Sequence, residues 1–480
     1  MKQQVQKALY SLHSWSGLAT GLLIYVLSLS GVVALFHGEL GPWQRGSEPA
    51  PPATLAGVDA VLARQGSLPE DVTVLLPTDD RPWAIVEMGH ESGDVLHVDA
   101  ATGQPLADPG HAILDLVVRL HTDLLLPAPF GRYLVGFLGV VMLLLVISGI
   151  FLHRKFLREF FVLRLRRSSR LRWTDLHKSV GLWALPFHFI MSFTGAVLGM
   201  LGFILLLAGL IAYKGDIDAA QSAMFPVPAE ASGETANMLP LDTLTRLAIE
   251  RIPGMSPEVV TLHHYGDRLA EVTVYGNVAG KLVYFPAVAL AGHSGETLEV
   301  IDWSEQSWVR QTYALVTPLH YGSFGGLLVK ALYTLLGAGS CLLVISGLRI
   351  WLARPLVDAA RRPRLVWWLM EGVISGLPFA LVGLLLAGRV YPDLNLSAAM
   401  TLCGFLGLWF LAFIWTTVRP RGVAGRELVL GTGILLVSLA LGGWLFASPW
   451  GGPWLNTVRA LALLIGLMCL WGAGKARRAA

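Results

Sequence analysis

Leu12-His13-Ser14-Trp15-Ser16-Gly17 recurs as Leu176-His177-Lys178-Ser179-Val180-Gly181, and Leu145-Val146-Ile147-Ser148-Gly149 recurs letter for letter as Leu343-Val344-Ile345-Ser346-Gly347. The separation from His13 to the pair Ser30-Gly31 equals that from His177 to Thr194-Gly195. Leu120-His121 returns as Leu319-His320, and the distance from each to its five-letter box differs by one residue. Such self-similarity marks an internal duplication, whose unit is apolar helix, external segment, apolar helix. Small residues in Ser-Gly pairs let helices approach closely in lipid, where packing holds a bundle together.

Around this frame the composition is 54% hydrophobic and 14% charged over 480 residues, too apolar for a soluble globule of that length. Eight stretches are long enough to cross about 30 Å of hydrocarbon, which takes roughly 20 apolar residues each. They lie near residues 17–37, 131–152, 178–212, 327–352, 366–388, 396–418, 427–447 and 454–473. The fold class expected is a mainly α polytopic membrane bundle of about eight spans, the first four forming the duplication. The first span runs past any cleavage site and reads as an uncleaved anchor. Basic residues set the orientation. Residues 154–172 carry Arg154, Lys155, Arg158, Arg164, Arg166, Arg167, Arg170 and Arg172, and residues 349–364 carry five arginines. With Arg419, Arg421, Arg426 and the tail at Lys475, Arg477 and Arg478, these clusters fall on one side, so both termini are expected in the cytoplasm.

Two long segments then fall outside. Each holds 13 acidic residues in the ranges 44–128 and 214–320, against four and six basic ones, so the net charge of +3 conceals a polarised chain. The positive-inside bias accounts for that acidity. The organisation expected is a first transmembrane helix at 1–43, an external module at 44–128, and helices two and three with a basic loop at 129–213. A second module follows at 214–322, a fourth helix at 323–355, and an additional four-helix membrane module at 366–474. Each external segment reads as small α+β. The first has a helix over 55–64, strands over 83–88 and 94–98 and a turn at Asp99–Gly103. The second has a helix over 241–251 and strands over 259–263, 269–275 and 281–285. No catalytic triad, phosphate loop, dinucleotide fingerprint or nucleic-acid motif is present, and no residue is expected to act as nucleophile or general base.

Histidine is the informative residue type. His13, His37, His121, His153, His177, His188 and His320 lie on or beside the first four spans, and residues 321–480 contain none. Imidazole in or near hydrocarbon is scarce without a partner, so this clustering points to metal or proton chemistry, with haem favoured. Neutral imidazole is a good ligand for haem iron. His13, His153 and His177 belong to the cytoplasmic end, His37, His121 and His320 to the external end, and His188 lies well inside. Two haems of b type at two heights would carry electrons across the lipid. Cys341, Cys403 and Cys469 are isolated, which excludes covalent haem, iron-sulfur clusters and disulfides. Ligand pairing stays open. His13, His37, His121, His177 and His320 could instead anchor helix ends, and His90, His97, His111, His263, His264 and His293 read as surface or fold residues.

The Leu-His-x-x-x-Gly motifs, Phe36-His37-Gly-Glu-Leu40, Leu120-His121-Thr-Asp-Leu124, Ser148-Gly-Ile-Phe-Leu-His153 and Pro186-Phe-His188 resemble the PepSY-associated transmembrane family over about residues 8–355. That family includes iron-regulated inner-membrane proteins and haem-containing ferrisiderophore reductases. The resemblance implies a bacterial inner-membrane location, with two PepSY-like modules in the periplasm and a ferric siderophore or other Fe(III) chelate as the external acceptor. The donor would be a quinol or a cytoplasmic reductase, because the chain has no flavin or nicotinamide fingerprint; membrane lipid is the other partner. Two rival readings remain: a haem-free sensor or protease regulator, and a proton- or metal-coupled transporter, for which Glu371 in the fifth span speaks.

Overall fold

The computed structural model describes residues 3–38, 40, 54–65, 68–78, 81–89, 94–106, 112–153, 168–224, 230–278, 282, 286–303, 306–353, 364–390, 397–445 and 453–478. Among these residues eight helical stretches are long and apolar enough to cross a membrane, and the chain is a multi-pass membrane protein. The exposed faces of these helices carry Phe130, Leu328, Leu335, Val418 and Trp471, which suits contact with lipid tails. The chain divides into two compact units: residues 1–47, 110–200 and 330–480, and residues 48–109 and 201–329.

The first unit is helical. It begins with α1 (Gln3–Ala34), whereas α2 (Ala56–Arg64) belongs to the other unit. Next come α3 (Ala112–Thr122), α4 (Phe130–Leu152), α5 (Ser169–Trp183) and, as far as residue 200, α6 (Leu185–Ile211). α5 and α6 are separated at Ala184, where Pro186 can donate no backbone hydrogen bond, so the expected single span over 178–212 is interrupted. α4 and α6 cross where side chains vanish: a Cβ on Gly136 would lie 2.7 Å from the Gly199 carbonyl carbon, and one on Gly139 would lie 2.8 Å from the Ala196 nitrogen. The Ser-Gly and Gly-rich spacing therefore serves close packing here. Although α3 falls in the segment expected as external, it packs its apolar residues Ile113, Leu116, Val117 and Leu120 with Tyr25 and Val26 of α1.

The second unit contains α2, β1 (Asp71–Leu75), β2 (Ala84–Met88), β3 (Asp94–Val98), α7 (Ile217–Met224) and α8 (Leu241–Arg251). It continues with β4 (Met255–His263), β5 (Glu271–Val278), β6 (Ala287–Ala291), β7 (Thr297–Ile301) and α9 (Trp308–Tyr321). The strands from both external segments form one seven-stranded antiparallel sheet, ordered β3-β2-β1-β4-β5-β6-β7. Its midline is a row of paired valines, Val86, Val74, Val260, Val274 and Val288, all fully buried. Period-two alternation puts these residues on one face, where Val58, Leu62, Leu241 and Leu244 of α2 and α8 cover them. Pairing β1 with β4 removes the free edge that each half would otherwise present. The Asp99 turn is as expected: the Asp99 carboxylate accepts from the Thr102 amide (2.8 Å), and Gly103 takes φ +70°. The strand expected over 281–285 lies outside the described residues except at Leu282, and so do His90, His111 and the basic loop at 154–167.

The chain ends with α10 (Gly326–Leu352), α11 (Arg364–Ile374), α12 (Gly376–Val390), α13 (Ala398–Val418), α14 (Val423–Leu445) and α15 (Pro453–Arg478). α11 and α12 form one span broken at Ser375. Pro378 cannot donate to the Ile374 carbonyl four residues before it, and Tyr25 of α1 fills that vacancy with its hydroxyl at 2.9 Å. Close packing of α11 on α13 needs Gly372, whose missing Cβ would sit 2.2 Å from the Phe413 ring.

Candidate cofactor site

The helical unit encloses a cavity of about 810 Å³ between α1, α4, α5, α6 and α10, lined by His13, His153, His177 and His188. Cofactor sites commonly measure roughly 300–1,000 Å³, so a large planar group can be housed there. Gly17, Gly149, Gly181 and Gly347 widen it, and Lys7, Arg170 and Lys178 also line it.

The duplicated letters meet in space. His13 Nδ1 lies 2.8 Å from Ser148 Oγ, and His177 Nδ1 lies 3.0 Å from Ser346 Oγ, so in each repeat the histidine of the Leu-His motif touches the serine of the Leu-Val-Ile-Ser-Gly box. Each serine hydroxyl donates to the carbonyl three residues earlier, Leu145 at 3.0 Å and Leu343 at 2.9 Å. The serine proton is thereby committed, and each Oγ must accept. Nδ1 of His13 and of His177 therefore carries the hydrogen, a tautomer reinforced at His177 by the Leu343 carbonyl at 3.0 Å. The lone pair is left on Nε2. An imidazole whose Nδ1–H is held by an oxygen acceptor is oriented and made more basic as a metal ligand.

The two rings lie with centroids 6.3 Å apart and planes at 90°. Both rings line the same cavity, each with Nε2 left to act as a ligand. Among the described residues no group of three or more His, Cys, Asp or Glu side chains converges on a metal position. A pair of imidazoles is what porphyrin-held iron takes from a protein, since the macrocycle supplies the other ligands. The residues present fit haem.

Two further histidines line this cavity. His188 is 1% exposed, and its Nε2 is buried without a hydrogen-bond partner. Phe187 packs edge-on against Tyr333 at 5.2 Å and against His188 at 6.0 Å, which fixes the start of α6. His153 ends α4, its backbone N–H bonded to Gly149.

The remaining expected residues lie apart from the cavity. His121 on α3 has Nδ1 2.9 Å from the Leu27 carbonyl, so it too carries hydrogen on Nδ1 and a lone pair on Nε2. It rests on Gly31, where a Cβ would come within 2.8 Å of its ring, and this is the physical use of the Ser30-Gly31 pair. His37 faces Asp115 at 3.8 Å and is 35% exposed. His320 belongs to the sheet unit, on α9 beside Tyr321. His263 and His264 serve the β1–β4 seam, facing Asp71 at 2.5 Å and Glu70 at 3.6 Å. The residues missed from sequence are Ser148 and Ser346. Both stand in the repeated box, and their identical placement relative to each Leu-His motif is the signal that could have found them.

The family described as PepSY-associated TM region matches residues 10–354, the extent over which the motifs carry the resemblance. An uncharacterized protein of Pseudomonas aeruginosa is 31% identical over 371 residues, covering 73% of this chain and 93% of the relative.

Proposed function

The chain belongs to the PepSY-associated transmembrane family, and from that premise we propose that its helical unit is a b-type cytochrome that moves electrons across a bacterial inner membrane to an Fe(III) chelate outside. The observation that carries this reading is the duplicated His-Ser pair, which presents His13 and His177 with free Nε2 atoms at a cofactor-sized cavity.

Bound haem would supply one-electron transfer at a potential tuned by its surroundings. The chain's own residues do the rest. His13 and His177 would hold the iron, with Ser148 and Ser346 orienting the two rings. Gly149 and Gly347 leave room beside the rings, a Cβ there falling 3.6 Å and 3.3 Å from His13 and His177 Cε1. Leu18, Ile24, Leu185 and Leu343 give the cavity apolar walls. His121 is the candidate for a second, outer haem, because its tautomer is set in the same manner. The sheet unit is the dock for the acceptor, with both termini cytoplasmic and that unit periplasmic. The acceptor is a ferric siderophore or comparable chelate, whose iron is held less tightly once reduced to Fe(II). A quinol or a cytoplasmic reductase is the electron source.

The test is optical. Full-length protein from haem-replete cells should show a Soret band and sharp reduced α-bands, and both His13→Ala and His177→Ala should diminish the same spectral component. His293→Ala, at an exposed position in the sheet unit, should leave the spectrum unchanged. Colourless wild-type protein would end the proposal and leave a haem-free regulator; haem content divided by protein gives the number of sites.

A further inference from the structure

Arg389, half-buried at the end of α12, lies within electrostatic reach of Arg459, on α15, in the last four-helix group. Arg459 is only 7% exposed, and its guanidinium runs along α14, where a Cβ on Gly443 would lie 2.9 Å from its Nε. Arg459 bonds Asn456 Oδ1 at 3.2 Å through one terminal nitrogen, while its Nε is buried without a partner. Arg389 Nε is buried and unpartnered as well. No carboxylate among the described residues pairs with either arginine.

Two guanidiniums whose Nε atoms are buried without a partner, and which have no counter-ion among the described residues, are costly within a membrane helix bundle, where charge persists only with a partner. Topology does not explain them. Gly443 lies at the opposite end of α14 from Arg419 and Arg421, so this pair stands away from the basic residues that mark the other end. The planar forked guanidinium matches a tetrahedral oxyanion through several N–H donors at once. Beside Arg459, α15 turns Leu461, Leu464 and Ile465 outward, a surface suited to acyl chains.

We infer that Arg389 and Arg459, with Asn456 setting the Arg459 guanidinium, form a binding site for a phosphate-class anion. The phosphodiester of an anionic phospholipid and free inorganic phosphate share that chemistry, and experiment separates them.

Full-length protein in uncharged detergent would be titrated with phosphatidylglycerol, with phosphatidylcholine and with inorganic phosphate, the thermal midpoint being followed. Protection by phosphatidylglycerol and not by phosphate identifies a lipid headgroup; protection by phosphate to the same extent identifies the free ion. In either case Arg459→Gln should weaken the apparent affinity roughly tenfold or more, as expected when a charge-assisted partner is lost, and Arg459→Lys should recover only part of it. Should Arg459→Gln fail to fold, the half-buried Arg389→Gln provides the same comparison. Indifference of the wild type to both phosphatidylglycerol and phosphate, or equal protection of wild type and Gln variants, would overturn the inference. Protection by phosphatidylcholine equal to that by phosphatidylglycerol would do so too.

Discussion

At the scale of single residues, two hydroxyl groups decide which nitrogen of two histidines is free. Replacing Ser148 or Ser346 by alanine removes one acceptor of Nδ1–H and loosens the hold on ring orientation and tautomer. Loss of such a supporting partner typically costs about 10–100-fold in ligand affinity. Each ring keeps a backbone carbonyl as a second acceptor, Leu343 for His177 and Leu145 for His13. Ser148→Ala and Ser346→Ala are therefore each expected to lower haem retention on dilution, as read from the Soret absorbance per protein. Wild-type retention in both variants would contradict the assignment. The histidines themselves were legible from sequence, because imidazole in apolar surroundings is conspicuous. The serines were legible only as packing residues, since nothing in a string of letters distinguishes a small residue that makes room from one that accepts a hydrogen bond.

Helices and strands show a different division. The spans follow from length and apolarity, but their breaks follow from single prolines whose consequences depend on a distant partner. Pro378 leaves the Ile374 carbonyl without its helical donor, and the hydroxyl that answers comes from Tyr25, hundreds of residues away in the chain. Tyr25→Phe should leave that buried acceptor bare at a cost of about 1–3 kcal/mol, visible as a lower thermal midpoint of the full-length protein with helicity retained. An unchanged midpoint would show that the bond adds nothing. Gly136→Leu asks more of the fold. With backbone of α6 already within 2.7 Å of where a Cβ would stand, α4 and α6 must separate, and the expected outcome is loss of folded protein rather than a graded shift. Strand β1 escaped the sequence reading. Asp71-Val-Thr-Val-Leu75 alternates over only five residues, and its pairing with β4 is a long-range choice with no local signature.

On the scale of the whole sheet unit, the duplication produces reciprocal capping. Asp242 on α8 accepts from the Leu55 amide at 3.0 Å, at the start of α2, while Asp59 on α2 accepts from the Leu241 amide at 3.2 Å, at the start of α8. Each half thus supplies the anion that the other half's helix N-terminus favours. Burial is the main reason the Asp59 carboxyl is pushed up to about 6; the nearby Asp242 carboxylate adds to the rise and the Leu241 amide opposes it. Tyr265 also lies within electrostatic reach. A carboxyl whose folded value exceeds its unfolded value of about 4 contributes stability that is complete below pH 4 and fades as pH rises through 6. Asp267 works in the other direction and in another window. Amides of Leu269, Ser232 and Gly233 hold it down to about 2, so its contribution is complete above about pH 4 and changes little between pH 5 and 7. Between those two values Asp59 should dominate. The urea midpoint of the sheet unit, followed in the full-length protein by brief proteolysis of the β4–β5 region at a common quench pH, should be higher at pH 5 than at pH 7. Asp59→Asn cannot ionise and still offers an oxygen to Leu241, so its midpoint should be nearly level across the same interval. A wild-type protein with no slope, or an Asn variant with the wild-type slope, would remove Asp59 as the source and leave the mutual capping as a purely mechanical joint between the repeats.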